Sequence, residues 1–250
     1  MPIWLQAGAW GLLAGGALVV GALIAWFINV PQRVVASIMA FGAGVLISAL
    51  AFDLVDEAER TGGLTSTIVG FLAGASAYVA ANVVLARRGA AHRKRSEDQQ
   101  PSEDEQDGSG AAIAIGALLD GVPESVVLGL SLLGGGGVGV PVLVAIFISN
   151  LPEGLSSASG MKRKGRSATY VFGVWISIAV ASGLAGLLGV LLLQGASPQL
   201  VAVITALAAG AILAMVADTM IPEAFERTHL YAGLIATVGF ILAFTVERAG

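Results

Sequence analysis

Eight stretches of this chain are each long and apolar enough to cross a lipid bilayer as a helix, which takes about 20 mainly apolar residues. They are numbered here as spans 1 to 8: Trp4–Ile28, Val34–Leu54, Leu64–Ala86, Ala111–Leu133, Gly139–Gly160, Ala168–Leu193, Gln199–Ile221 and Tyr231–Val246. Only 12% of the 250 residues are charged and the mean hydropathy is +0.85, so there is too little polar surface to cover a soluble core. The apolar runs are continuous rather than alternating, which excludes a membrane β-barrel. The sequence therefore predicts an all-α polytopic membrane protein, with residues 1–250 forming one transmembrane domain.

Turn-forming residues separate the predicted spans. They are Asn29-Val30-Pro31, Thr61-Gly62-Gly63, the four glycines 134–137, and Ser197-Pro198. The one long linker, residues 87–110, begins basic, becomes acidic and is rich in Ser and Gln, so we expect a disordered cytoplasmic loop. No basic segment precedes span 1, so we expect that span to be kept rather than cleaved as a signal peptide.

Basic residues are concentrated on one side of the predicted spans. With the N-terminus outside, 11 of the 13 Lys and Arg residues lie in cytoplasmic loops, whereas the reverse orientation places the same 11 outside. Because Lys and Arg favour cytoplasmic loops, we expect an integral protein of the cell (plasma) membrane with both termini extracytoplasmic. The basic run Met161–Arg166 is interpreted as an anchor of this topology, with lipid recognition as the alternative.

Residues 41–58 resemble residues 207–224 without a gap, with Gly44 matching Gly210 and Glu57 matching Glu223. These segments belong to spans 2 and 7, which cross the membrane in opposite senses. The offset predicts an inverted repeat of spans 1–3 and 6–8 around spans 4 and 5. Inverted repeats with a site near the middle of the membrane are common in transporters.

Spans 4 and 5 contain ionisable side chains, which are expensive inside a membrane and mark pathways or sites. The two segments are Asp120-Gly121-Val122-Pro123-Glu124-Ser125 and Ser149-Asn150-Leu151-Pro152-Glu153-Gly154. Each proline removes one helical hydrogen bond and frees the carbonyl four residues earlier. Counted from the cytoplasmic ends, Asp120, Glu124, Asn150 and Glu153 lie between ~12 and ~20 Å deep, in one layer. We therefore predict oxygen ligands for a divalent metal ion, with protonated packing residues as the alternative.

Further acidic residues lie near the ends of spans 2 and 7. Asp53, followed by Asp56 and Glu57, lies near the outer end of span 2, and Asp218 and Glu223 lie toward the inner end of span 7. An acidic mouth on each side of a central site is typical of a cation route. Ordinary solvated helix ends are the alternative interpretation.

At these residues the chain resembles the ZIP (Zrt/Irt-like) family of divalent metal transporters. In that family span 4 carries a His-Asn-x-Pro-Glu-Gly motif and span 5 a similar Pro-Glu motif, and the segments that begin at Asp120 and Ser149 match those places. Pro222-Glu223-Ala224, directly after span 7, and the Gly-rich span 2 are also similar. The resemblance covers nearly the whole chain and implies eight spans with both ends outside.

The resemblance implies a permease that moves zinc, or manganese, iron, cobalt or cadmium, toward the cytoplasm. Its metal ligands would be Glu124 and Glu153 at the centre, Asp120, Asn150 and Ser149 beside them, Asp53 for recruitment, and Asp218 with Glu223 for release. Asp120 replaces the family's frequent His, which weakens the expected preference for zinc. Span 6 has no carboxylate, so one metal position is expected rather than two.

The alternative function is a non-transporting ZIP-like homologue that acts as a metal-binding sensor or scaffold. We do not expect an enzyme, because His-Glu-x-x-His and the Gly-x-Gly-Asp aspartyl motif are absent from the sequence. No permanently bound cofactor is expected, since the metal ion is the substrate. The expected partners are that ion and the bilayer, with a homodimer as a further option and no nucleic acid.

The orientation is testable because the chain has no Cys, so single cysteines can be introduced cleanly. A cysteine at Ser96 should be shielded from an impermeant thiol reagent added to whole cells, and a cysteine at Ala249 should react. Labelling at position 96 but not at position 249 would reverse the orientation.

Overall fold

A computed structural model describes residues 1–90, 109–134 and 140–249, and this part of the chain is helical, with no strand. The α-helices are α1 Ile3–Phe27, α2 Gln32–Ala49, α3 Val55–Leu85, α4 Ser109–Leu130, α5 Val140–Arg163, α6 Ala168–Leu193, α7 Pro198–Met215, α8 Ile221–Thr228 and α9 Tyr231–Ala249. Three π-helical turns, Leu50–Leu54, Ala86–Ala90 and Val216–Met220, and a 3₁₀ turn, Ser131–Gly134, extend them. The predicted all-α fold is confirmed for these residues.

Seven helical runs within the described ranges are long and apolar enough to cross a membrane, where the sequence predicts eight spans. The difference arises because predicted spans 2 and 3 lie in one run of 57 residues, Gln32–Arg88. A straight helix of that length would measure about 85 Å, against a hydrocarbon core of about 30 Å. The run is interrupted at Gly63, whose φ of 80° and ψ of 166° are not helical.

The helix boundaries agree with the turn residues of the sequence at two further places. Helix α1 ends at Phe27 and α2 begins at Gln32, on either side of the Asn29–Pro31 segment. The Ser197 hydroxyl caps α7 by accepting a hydrogen bond from the Leu200 amide at 3.3 Å. Of the predicted disordered linker 87–110, residues 91–108 lie outside the described residues, and so do residues 135–139 in the glycine turn.

Glycines allow several helices to pack backbone against backbone. On α2 and α9, Gly44 lies against the Ala236 carbonyl and Gly239 against the Phe41 carbonyl. On α3 and α7, Gly74 lies against the carbonyl of Leu207 and Gly210 against that of Phe71. A Cβ at any of these four glycines would collide with backbone atoms, so these helix pairs are fixed closely together.

Two segments of the chain share the same sequence of helical elements. Both α2 and α7 have 18 residues, and each is followed directly by a π-helical turn of five residues. The corresponding bounds lie 166 residues apart throughout, from 32 and 198 at the start of the helices to 54 and 220 at the end of the turns. The match therefore extends over 23 positions of the backbone.

The close packing predicts that Gly210→Ala lowers the free energy of unfolding by about 1–3 kcal/mol, because the new methyl group meets the Phe71 carbonyl. Gly233→Ala, at a helical position with nothing within 4 Å of the new Cβ, is the matched control and should be neutral or slightly stabilising. Thermal unfolding in detergent measures both. Equal melting temperatures for the two variants would contradict the α3–α7 contact.

Candidate metal centre

Helices α4 and α5 bury all five of the candidate ligands that the sequence assigns to them. The exposed fractions are 2% for Asp120, 1% for Glu124, 0% for Ser149, and 3% for Asn150 and for Glu153. Pro123 and Pro152 lie inside their helices, as predicted. Because Asp120 and Glu124 are four residues apart, they share one face of α4.

Asp120 is tied to α3 by a buried hydrogen bond. The hydroxyl of Tyr78 donates to Asp120 Oδ1 at 2.7 Å, and Tyr78 is itself 1% exposed. A hydrogen bond to a charged carboxylate is stronger than one between neutral groups. The phenol therefore fixes the position of one oxygen of Asp120.

Asn150 links α5 to α1. Its Nδ2 atom donates to the Ala14 carbonyl at 3.1 Å, so the amide oxygen is the atom that suits a metal ion. Its neighbour Ser149 donates to the Ile146 carbonyl within the same helix at 2.9 Å. The hydroxyl proton of Ser149 is therefore used locally, and its oxygen keeps lone pairs for a ligand.

Helix α2 approaches α5 beside Ile148, the residue whose carbonyl Pro152 leaves without a helical hydrogen bond. A Cβ built on Gly42 would lie 3.1 Å from Ser149 Cα and 3.6 Å from the Ile148 carbonyl oxygen. That carbonyl is the one that Pro152 deprives of its helical donor. The absence of a side chain at Gly42 thus leaves space beside a backbone oxygen within the candidate site.

The two candidate residues at the inner end of predicted span 7 differ in their burial. Glu223, on α8, is 5% exposed and accepts a hydrogen bond from Ser156 Oγ at 3.1 Å. Asp218 lies on the π-helical turn before α8 and is exposed. Ser156 is three residues after Glu153 on α5, so it shares a face with that carboxylate.

Asp53 lies on the rim of a cavity of about 780 Å³. The charged residues that line the cavity are Asp53, Asp56, Glu57, Glu247, Arg60 and Arg248. Arg60 pairs with Asp56 at 2.7 Å, and the Arg248 guanidinium lies 5.5 Å from the centre of the Phe244 ring. Asp53 is half-buried, and its Oδ2 atom has no hydrogen-bond partner among the described residues.

The same cavity reaches α4 beyond its carboxylates. Val127 and Leu130 line it, and they lie three and six residues after Glu124. At about 1.5 Å per residue, Val127 is about 4.5 Å farther along the helix axis than Glu124. The acidic cavity therefore approaches the buried carboxylates of α4 from one end of the bundle.

Within the described ranges, no group of three or more His, Cys, Asp or Glu side chains is arranged to hold one metal ion. The carboxylates of Asp120, Glu124 and Glu153 are buried, but they do not form such a group in this arrangement. Asn150 and backbone carbonyls are oxygen donors outside that set of residue types. The ligand assignment from the sequence stays a prediction.

No model of a known protein family matches this chain, and no curated protein sequence does. The resemblance to the ZIP family therefore depends on the motif residues of spans 4, 5 and 7.

Two residues of the buried polar network, Tyr78 and Ser156, were absent from the sequence-based candidates. Tyr78 is the one tyrosine in predicted span 3, in a run of mostly small and apolar residues, which was a usable signal. Ser156 follows Glu153 at the helical spacing that places both on one face. The partners of these hydroxyls lie on other helices, and the spacing within one helix does not identify them.

The hydrogen bond between Tyr78 and Asp120 predicts that Tyr78→Phe lowers the free energy of unfolding by about 1–3 kcal/mol, since a buried carboxylate loses a donor. Tyr231→Phe is the control, because Tyr231 is 72% exposed. Thermal unfolding of Tyr78→Phe, Asp120→Ala and the double variant gives the interaction energy, because alanine removes the acceptor oxygen. Strictly additive effects would show that the two side chains do not interact.

Proposed function

We propose that this protein is a membrane permease that moves a divalent metal cation toward the cytoplasm through a carboxylate site in the middle of its helix bundle. The proposal rests chiefly on one observation. Asp120, Glu124, Glu153 and Glu223 are buried, while no Lys, Arg or His is buried in the described part of the chain. The permease is a carrier rather than an enzyme, and the metal ion is its substrate rather than a resident cofactor.

Charge compensation connects the buried carboxylates to a cation. An isolated ionised carboxylate is very costly in an apolar environment, and carboxylates within membrane helices typically mark ion or proton pathways. No Lys, Arg or His of the described ranges is itself buried, and a divalent cation is the counter-charge that the proposed mechanism assigns to these carboxylates. The substrate is zinc, or manganese, iron, cobalt or cadmium, because a site of carboxylate and amide oxygens lacks the extra preference for later metals that imidazole ligands give.

The other polar features supply an approach and an exit. Asp53 recruits ions from the cavity of about 780 Å³, and Glu124 with Glu153 holds the ion at the centre. Asp120, Asn150 and Ser149 complete the set of ligands. Release toward the other end follows Glu223, which the Ser156 hydroxyl orients, and the exposed Asp218.

This mechanism includes an eight-span topology built on an inverted repeat, in the cell membrane with both termini outside. The break at Gly63 within the run Gln32–Arg88 supports a division into two spans. The common 166-residue offset of α2 and α7 with their π-helical turns supports the repeat. The glycine contacts add to it, because α2 contacts α9 through Gly44 and Phe41, and α7 contacts α3 through the equivalent Gly210 and Leu207.

A metal-binding sensor or scaffold is the alternative function, since it needs the buried carboxylates but no route across the membrane. The cavity beside α4 favours transport, because a closed sensor site needs no opening of that size. Metal binding without uptake would establish the alternative.

The test is metal uptake by the purified protein in liposomes, with metal binding measured separately by calorimetry in detergent. Glu124→Gln and Glu153→Gln should each reduce uptake to the background of empty liposomes. Loss of one central anion should weaken metal binding by about 3 kcal/mol or more, roughly a hundredfold. Both variants keep the shape of the side chain, so the protein should still fold and insert.

Glu59→Gln is the matched control, because Glu59 is exposed and lies outside the proposed route. It should transport at the rate of the unaltered protein. Normal uptake by both Glu124→Gln and Glu153→Gln would refute the central site, and absence of metal binding by the unaltered protein would refute the function.

A further inference from the structure

A second cavity, of about 280 Å³, lies where the turn between α1 and α2 meets the end of α5. Its polar lining consists of Asn29, Gln32, Ser159, Lys162 and Arg163, above buried Leu155. We call it the basic crevice. It is separate from the buried carboxylates and from the acidic cavity, and the proposed transport route does not use it.

The basic crevice carries positive charge without a matching carboxylate. No Asp or Glu occurs in residues 1–52 or 154–217, the two stretches that supply its walls. Neither Lys162 nor Arg163 forms an ion pair with a carboxylate of the described residues. Lys162 and Arg163, together with the three uncharged polar side chains of the lining, therefore form a site that attracts an anion.

Lys162 is held in position at this crevice. Its Nζ atom donates to the Trp26 carbonyl at 2.6 Å and lies 5.4 Å from the centre of the Trp26 ring. Trp26 in turn packs on Phe172, with ring centres 5.8 Å apart. An ammonium group has three donors, so Lys162 keeps two for a ligand while losing little side-chain entropy on binding it.

The backbone at the end of α5 does not need these cations as hydrogen-bond donors. The amides of Lys164, Gly165 and Arg166 donate to the carbonyls of residues 160, 162 and 161, each at 3.1 Å. Gly165 makes this closure feasible with a φ of 76°. The side chains of Lys162 and Arg163 are therefore available to a partner outside the helix.

The position of the crevice identifies that partner. It lies at the ends of α1 and α5 and the start of α2, all of which belong to membrane-capable runs, so it lies at the level of the lipid headgroups. Tryptophan is typical of that level, and basic side chains bind lipid phosphates there. We propose that the basic crevice binds the phosphate group of an anionic phospholipid, with the buried apolar wall beside the glycerol and the first acyl carbons.

The experiment is native mass spectrometry of the full-length protein in detergent with phosphatidylglycerol, and with phosphatidylcholine as the zwitterionic comparison. The double variant Lys162→Gln with Arg163→Gln should bind phosphatidylglycerol about 25-fold more weakly, from roughly a fivefold loss per cation. Ser159→Glu, which places a carboxylate in the crevice, should have a similar effect. Lys162→Arg should retain binding.

The matched control is Arg33→Gln with Lys164→Gln, which removes the same charge from the same end of the protein without altering the lining of the crevice. It should keep binding within about twofold, a change well below the loss expected for one cation. Equal losses in the two double variants would show diffuse attraction and overturn the proposal.

A soluble source of phosphate is tested by adding glycerol 3-phosphate and inorganic phosphate. Retention of phosphatidylglycerol at millimolar concentrations of either supports a lipid site, and displacement would assign the crevice to a soluble anion and overturn the lipid proposal. Because the readout is lipid binding, the result does not depend on whether the protein transports metal.

Discussion

The helix bundle buries four carboxylates and, within its described residues, no basic side chain. The other polar features of the structure depend on this imbalance of buried charge. Hydroxyl groups offset part of the free-energy cost of burying these carboxylates. Tyr78 donates to Asp120 and Ser156 donates to Glu223, and each bond joins two helices. A hydroxyl donor stabilises a carboxylate but leaves its charge in place. In the proposed mechanism a mobile cation balances the remaining charge, and this role connects the packing of the helices to the proposed transport.

Small residues decide which polar groups can meet across the helices. Gly42 lets α2 approach Ser149 and the Ile148 carbonyl, and Gly15 lets α1 approach Ser182 of α6. A Cβ at Gly121 would lie 3.4 Å from Ser182 Oγ, so this position of α4 lies beside α6.

Turn chemistry and helix spacing predicted the all-α fold, the breaks around Asn29–Pro31 and at Ser197, and the interruption at Gly63, because these features are local. The burial of Glu124 and Glu153 also followed from the sequence, since both lie well inside predicted spans rather than at their ends. The bonds from Tyr78 to Asp120 and from Ser156 to Glu223 could not be predicted. They depend on the rotation and crossing angle of separate helices, which single-sequence periodicity does not define.

The π-helical turns explain why Asp218 and Glu223 differ although both were assigned to one acidic mouth. A π turn closes with one more residue than an α turn, so it rotates the helix that follows by about 100° relative to continuous α-helical spacing. Asp218 lies within the turn at Val216–Met220 and is exposed, whereas Glu223 follows it and meets Ser156. The equivalent turn, Leu50–Leu54, carries Asp53 beside the acidic cavity. At both places an acidic residue occupies a segment in which i→i+5 hydrogen bonds replace the α-helical pattern. The Val55 amide donates to the Leu50 carbonyl and the Ile221 amide donates to the Val216 carbonyl, so each turn changes the face on which the acidic residues beyond it lie.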